Sequence, residues 1–475
     1  MKKVILAVNF ILFSSVFGMK DQRAEWFNAA RSGNLATIDR MIKNGMDLNV
    51  KDMRGETALM IAADNDKWKV VERLIAGDFS KVLDMLLEWK NSGRKLSDKS
   101  IIKWKNRISK AGADVNAKDK EGRTALMKAV RRCLFREQEK IVKLLIDNDT
   151  DVNAKDKNGR TALIEILKFD LFHDKKGGIV NLLIDKSADV NAKDEYGKTA
   201  LMYAAENGRE KIVQSLIEKD TDVNAKDKNG QTALMYAAEN GSEEIVELLI
   251  DKSADINAKD EYGKTALMYA AEKGREKIVQ PLIEKDSNVN AKDKYDRTAL
   301  MYAAKEESEK IVQLLIEKSD DVNARDKYGR TALMYAMRRG RREIVELLVD
   351  NGADVNVKDV FGRTALMEAS EKGSEKIVEL LIGNGANADT KTRAMGAAVE
   401  SGNERIVELL LDAGADVSTT DGLLYKALIK GQEGIVKRLV DAGVYVGKKE
   451  LIQAHFRASG EISELIRALY NSQQH

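Results

Sequence analysis

The stretch from Thr199 to Gly230 reads TALMYAAENGREKIVQSLIEKDTDVNAKDKNG, and its opening returns at Thr232, Thr265, Thr298, Thr331 and Thr364, each time 33 residues on. A fixed period of this length marks a solenoid, in which one short unit stacks on copies of itself because no unit can bury its apolar face alone. Thr199 is placed to cap a short helix running to Ala205, whose alanines and leucine favour that state. Gly208 sits where this helix must stop. Ile212, Val213, Leu216 and Ile217 then recur at i, i+1, i+4 and i+5, which gives a second helix one apolar face. Asp222 to Gly230 is rich in turn formers, with Gly230 placed for a left-handed backbone. The plan is helix, turn, helix, projecting turn. Ala204 and Ala205 are small enough to let neighbouring helix pairs approach to about 8–10 Å.

Composition bounds the function. A length of 475 residues would ordinarily mean about three globular domains, but a solenoid grows without that limit because each unit contacts only its neighbours. Charged residues make up 33% of the chain and the formal net charge is +2, so the surface is wet and mixed in sign. That balance gives no global basic footprint, and nucleic acid is not an expected partner. One proline in the whole chain fits short turns between helices. Cys133 is the single cysteine, which excludes an intramolecular disulfide.

The text T-A-L-M-x-A-A…G…I-V-x-L-L-I…A-D-V-N-A-K-D-x-x-G resembles the ankyrin repeat, whose usual opening is T-P-L-H. The resemblance covers roughly residues 22 to 470. It implies an all-α fold of helix-turn-helix repeats with short projecting β-turns or hairpins, an ankyrin-like solenoid of about thirteen units. It also implies a non-enzymatic scaffold that binds partner proteins through its turn tips and concave face. Alanine replaces the family proline, which is harmless at a helix start. The family histidine, which braces the turns by hydrogen bonds, is replaced by Met60, Met127, Met202, Met235, Met268, Met301, Met334 and Met367. Apolar packing is expected to take over from that polar brace, with the methionines as core filler and not as a metal or cofactor box.

The organisation follows from where the period holds and where it breaks. Residues 21–56 lack the T-A-L-M text and read as an N-terminal capping repeat, with Trp26 and Phe27 as its atypical residues. Residues 57–123 form a repeat enlarged by an insertion near 78–111, since Thr57 and Thr124 stand 67 residues apart. Regular repeats fill 124–393. Over 394–475 the units shorten, with Gly373, Gly402, Gly431 and Gly460 spaced by 29 residues, as suits a closing cap.

Candidate contact residues lie on the tips. Tyr196, Tyr262, Tyr295, Tyr328 and Phe361 put an aromatic ring on five of six regular tips, each flanked by charge, and such residues are enriched at protein interfaces. Arg330 stands beside one of them. Arg338, Arg339, Arg341 and Arg342 cluster at the following inter-helix turn, a basic patch suited to an acidic protein surface or anionic lipid. Trp89 and Trp104 mark the insertion as a possible separate contact site, since it interrupts an otherwise uniform surface. A second row, Tyr203, Tyr236, Tyr269, Tyr302 and Tyr335, falls inside the first helices and suits either a packing ladder or a ligand contact.

No catalytic constellation stands out, and no catalytic, metal or cofactor residue is assigned. His173, His455 and His475 are far apart, and Cys133 with His173 lacks the ligand count of a zinc site. Lys2 and Lys3 followed by the apolar run Val4 to Phe17 and Gly18 read as a signal peptide over residues 1–18. The run is shorter than the roughly 20 residues of a membrane span. The expectation is therefore an exported monomer, periplasmic or secreted, with no integral membrane span once the signal is removed. A secreted effector that binds host proteins, and a membrane-peripheral adaptor anchored by an uncleaved leader, are the alternatives.

Overall fold

The computed structural model describes residues 22–77, 112–131, 136–168, 176–306, 308–319, 321–417 and 422–444, together with Glu464. The signal segment, the 78–111 insertion with Trp89 and Trp104, Cys133 and all three histidines lie outside these residues. Internal contacts divide the chain into two units, Met1–Ala233 with Asp251–Ala254, and Leu234–Ile250 with Asp255–His475.

Each unit is a succession of helix pairs. In the first, residues 22–32 pair with Leu35–Lys43, Ala58–Asp64 with Trp68–Ala76, and Ala125–Arg131 with Arg136–Ile146. Ala162–Lys168 with Lys176–Asp185 and Ala200–Glu206 with Glu210–Ile217 complete it. The second contains Ala233–Asn240 with Glu243–Asp251, Ala266–Glu272 with Glu276–Glu284, Ala299–Lys305 with Glu309–Lys318, and Ala332–Arg339 with Arg342–Asp350. Ala365–Glu371 with Glu375–Gly383, Ala388–Ser401 with Glu404–Asp412, and Leu423–Ile429 with Glu433–Asp441 follow. That makes twelve pairs among the described residues where about thirteen were expected; the unit expected around Gly460 falls in 445–475, outside them apart from Glu464.

The local chemistry explains both helices of a pair. Thr199 caps the first, its hydroxyl accepting the Met202 N–H at 3.3 Å, and Thr57, Thr124, Thr265 and Thr364 do the same in their repeats. Six of the seven residues of Ala200–Glu206 are buried, so this helix is a core element throughout. The second helix buries only Ile212, Val213 and Leu216 and turns its charged residues outward. The methionines from Met60 to Met334 are buried, as expected of core filler, while Met367 is half-buried near the shortened repeats. Trp26 is fully buried and supplies the core of the first pair. The single proline, Pro281, does not sit in a turn; it lies inside Glu276–Glu284.

The projecting segments correct one expectation. Among the described residues there is no strand and no hairpin, so the architecture is helical with irregular connecting turns. The reason is where the backbone donors go. The Asp194 N–H reaches the Lys198 carbonyl at 3.1 Å, but the reciprocal Lys198 N–H donates to the Asp194 carboxylate at 2.9 Å. The aspartate side chain thus takes the bond that would begin a ladder. Successive tips are joined by single backbone bonds, such as Lys228 N–H to Tyr196 O at 2.9 Å and Lys327 N–H to Tyr295 O at 2.9 Å. Gly197 allows the first of these: it has φ +78°, and a Cβ there would lie 2.8 Å from the Lys228 nitrogen.

Side chains fasten the remaining connector. Asn323 donates to the Gly352 carbonyl at 3.0 Å and accepts the Asp354 N–H at 2.8 Å, one repeat further on. Asn116, Asn153 and Asn356 make the same two bonds in their own repeats. Lys193 and Lys259 add a bond to the next repeat's carbonyl at 2.8 Å each. The segment that reads as turn formers is therefore a staple between repeats. After Gly383 the connector shortens: Ala388–Ser401 starts directly after Asn387, whose side chain accepts the Thr390 N–H at 2.8 Å. That substitution of a cap for a long turn produces the 29-residue spacing.

Candidate functional site

One aspartate organises each regular tip. Asp293 accepts the Tyr295 N–H at 2.8 Å and the Arg297 N–H at 2.9 Å on Oδ1, and the Tyr302 hydroxyl at 2.8 Å on Oδ2. Asp194, Asp260 and Asp326 repeat this arrangement with Tyr203, Tyr269 and Tyr335. Tyr203, Tyr269 and Tyr302 are buried and Tyr335 half-buried, so these members of the helix-borne row are committed to the fold. Burial, reinforced by donation to the carboxylate, pushes the Tyr335 phenol up to about 12 and raises Tyr203 and Tyr302 as well. In the repeat led by Thr124, Lys128 takes the tyrosine's place and bridges Asp119, at 3.1 Å, and Glu56.

The tip aromatics point the other way. Tyr196, Tyr262, Tyr295, Tyr328 and Phe361 are between 42% and 70% exposed, enough ring surface for a partner to cover. Two residues after each ring stands a cation: Lys198, Lys264, Arg297, Arg330 and Arg363. Eight residues beyond the cation the sequence places Glu206, Glu272, Lys305, Arg338 and Glu371 in turn. Where that residue is glutamate the pair closes, at 2.8 Å for Lys198–Glu206, 2.6 Å for Lys264–Glu272 and 2.5 Å for Arg363–Glu371. In the two consecutive repeats led by Thr298 and Thr331 a second cation stands there instead, and the pair cannot form.

The displaced cations find weaker or different partners. Arg297 turns back to Asp293 Oδ2 at 2.8 Å and lies 4.9 Å from the centres of the Tyr295 and Tyr302 rings. Arg330 lies over the Tyr328 ring at 5.1 Å and approaches Asp359 only to 3.9 Å. Arg338 approaches Glu368 only to 3.9 Å, and its side chain is 56% exposed. Together with Lys305, Met301 and Tyr335, these residues line a cleft of about 400 Å³ whose walls carry Arg297, Lys305, Arg330 and Arg338 and no carboxylate. A second cleft of about 450 Å³ shares Arg330 and Arg338 and adds Phe361, Arg363 and Lys372, but also Asp359, Glu368 and Glu371. It is mixed in charge. Burial raises the Glu368 carboxyl above its ordinary value despite the cations around it.

The cleft thus brings together Tyr295, Tyr328, Arg330 and Arg338 of the expected contact residues, with Phe361 in the cleft beside it. Tyr262 lies in neither; its hydroxyl is bonded to Glu261, which raises it. Tyr196 belongs to the first unit and forms no part of either cleft. Arg339 is the last residue of Ala332–Arg339, and its side chain lies outside the described residues, as do Trp89 and Trp104. The arginine cluster divides: Arg338 faces the clefts, whereas Arg342 pairs with Glu346 at 2.7 Å on the second helix. Arg297 and Lys305 were not among the expected residues. The signal for them lies in the switch from Glu206 and Glu272 to Lys305 and Arg338, visible once repeats are aligned column by column.

Among the described residues no group of three or more histidine, cysteine or acidic side chains is placed to hold a metal ion, and no helix is long and apolar enough to cross a membrane. A family model described as ankyrin repeats (three copies) matches residues 98–170, 134–227, 220–293, 290–359 and 357–421. No curated protein matches the chain.

Proposed function

Because the chain belongs to the ankyrin-repeat family, we propose that it is a non-enzymatic scaffold that binds a partner protein through the tips of its second unit. The exposed aromatic row beside the basic cleft supports this reading most directly. Tyr and Arg supply large contact area with a polar handle, and interface energy concentrates on such anchors. They stand on tips fixed by the aspartate bonds, so little ordering is required when a partner arrives.

The test is affinity capture with the full chain and with a Tyr295→Ala/Tyr328→Ala/Phe361→Ala variant, read by mass spectrometry against a bead control. The reading expects specific partners that the variant loses while its helical content is unchanged. Recovery of nothing above control, or of the same partners by both proteins, would count against it. Export is part of the same proposal and rests on Lys2, Lys3 and the apolar run to Phe17. N-terminal sequencing of the mature protein checks it: a start near residue 19 supports export, and an intact Met1 in a cytoplasmic fraction refutes it.

A further inference from the structure

We propose that the cleft between the Thr298 and Thr331 repeats receives an extended acidic protein segment with two carboxylates three residues apart, one met by each repeat. This deepens the scaffold reading above and rests on it.

Charge carries the first part of the argument. Lys264 and Arg363, in the repeats on either side, are neutralised by their own glutamates. Between them two successive repeats place cation against cation, Arg297 with Lys305 and Arg330 with Arg338. The repeats led by Thr124 and Thr161 do the same with Arg123 and Arg131 and with Arg160 and Lys168, but there Asp119, Glu165 and Glu195 stand 3.1, 3.8 and 3.6 Å from Arg123, Arg131 and Arg160. Like charges gathered on one wall cost free energy in the free protein, and an anion bound there offsets that cost. The carboxylates nearby are already engaged: Asp293 and Asp326 hold backbone N–H groups and the Tyr302 and Tyr335 hydroxyls. Asp293 also takes Arg297 at 2.8 Å, which leaves Lys305, Arg330 and Arg338 as the cleft cations without a close carboxylate of this kind.

Geometry supplies the spacing. Lys305 and Arg338 occupy the same position in neighbouring repeats, and packed helices stand about 8–10 Å apart. A chain extended as polyproline II advances about 3.1 Å per residue with three residues per turn, so residues three apart share one face and cover the same span. Tyr295 and Tyr328, exposed at the rim, offer ring faces to the body of such a segment between its acidic residues. Nucleic acid and anionic membrane fit less well, because both present charge over a long track and the basic face ends after two repeats.

The experiment uses the full chain and dye-labelled, end-capped synthetic peptides followed by fluorescence anisotropy. One peptide carries two glutamates three residues apart, a second carries glutamines in their place, and a third has the glutamates adjacent. The first should bind at least about tenfold more tightly than the second, as charge-assisted contacts to two guanidinium or ammonium groups require, and more tightly than the third. The double variant Lys305→Glu/Arg338→Glu should lose that advantage. The milder Lys305→Gln/Arg338→Gln should reduce it at unchanged circular dichroism. Equal binding of the glutamate and glutamine peptides, indifference to spacing, or full binding by both variants would overturn the proposal. Tighter binding of anionic vesicles or a single-stranded oligonucleotide through the same cations would also overturn it. If the Lys305/Arg338 variants still capture the partners that the tip-aromatic variant loses, the scaffold reading stands and the acidic segment falls.

Discussion

The repeat led by Thr265 and the repeat led by Thr298 have the same backbone plan, the same buried methionine and the same tyrosine-to-aspartate bond, yet they present opposite surfaces. In the first, Lys264 is closed off by Glu272 at 2.6 Å. In the second, Lys305 replaces that glutamate, Arg297 folds back onto Asp293, and the wall facing solvent is cationic. One substitution per repeat separates a neutral scaffold surface from a candidate binding wall. The fold is indifferent to the change because the position lies at the end of the first helix, outside the buried set. A repeat architecture can therefore place function at a chosen point on the stack without repacking its core.

The comparison can be pressed at the tyrosine beneath the cation. Tyr203→Phe removes a hydroxyl from the Asp194 carboxylate, and a lost bond to a buried charged group costs about 2 kcal/mol. Tyr302→Phe should cost less, about 1 kcal/mol, because Arg297 holds the same Asp293 oxygen. Urea denaturation of the two variants checks the order, and equal losses would mean that Arg297 gives Asp293 no support.

Alkaline stability tests the same row. The folded state holds the Tyr335 phenol at about 12 against an ordinary value near 10, so its contribution is complete below pH 10. Between pH 10 and about 12 the unfolded chain ionises first, and that stability is lost. Thermal melts across this window should fall for the native chain and fall less steeply for Tyr335→Phe, in which the raised Tyr203 and Tyr302 still contribute.

A smaller effect distinguishes the basic repeat. Asp296 occupies the tip position that is Gly197, Gly263 and Gly329 elsewhere, at φ +58°. Asp296→Gly should stabilise the protein by about 0.5–1 kcal/mol by relieving a left-handed non-glycine. A melting temperature that does not rise would place the strain elsewhere. The smallest change concerns the second cleft. Glu368→Gln removes the carboxylate 3.9 Å from Arg338 and should tighten binding of the spaced acidic peptide by about twofold, in keeping with an exposed ion pair. Anisotropy titration measures it.

Much of the fold was legible in the chain. The 33-residue period, the threonine caps and the apolar stripe of the second helix each have a local cause that survives into the structure. The projecting hairpins did not survive, because a carboxylate two and four residues upstream of its donors competes for the bonds that a strand pair needs, and sequence patterning does not weigh that competition. The helix-borne tyrosines stayed open in sequence because a phenol at a partly apolar position suits packing and contact alike; the distance from Tyr302 to Asp293 decided it. Of the candidate site, the tip rings, Arg330 and Arg338 were visible as isolated features. Their convergence with Arg297 and Lys305 was not, since it depends on a cation replacing glutamate in two repeats that keep the helix-borne tyrosine, and on the turn that brings residues eight apart side by side.

The central claim is that this missing glutamate opens the site, and isothermal titration of the full chain with the spaced acidic peptide tests it most directly. The account predicts measurable affinity for the native protein and at least about a tenfold loss in Lys305→Glu/Arg338→Glu, which gives Arg297 and Arg330 the carboxylates that Lys198 and Lys264 already have. Equal affinity in the two proteins, with both folded, would contradict it.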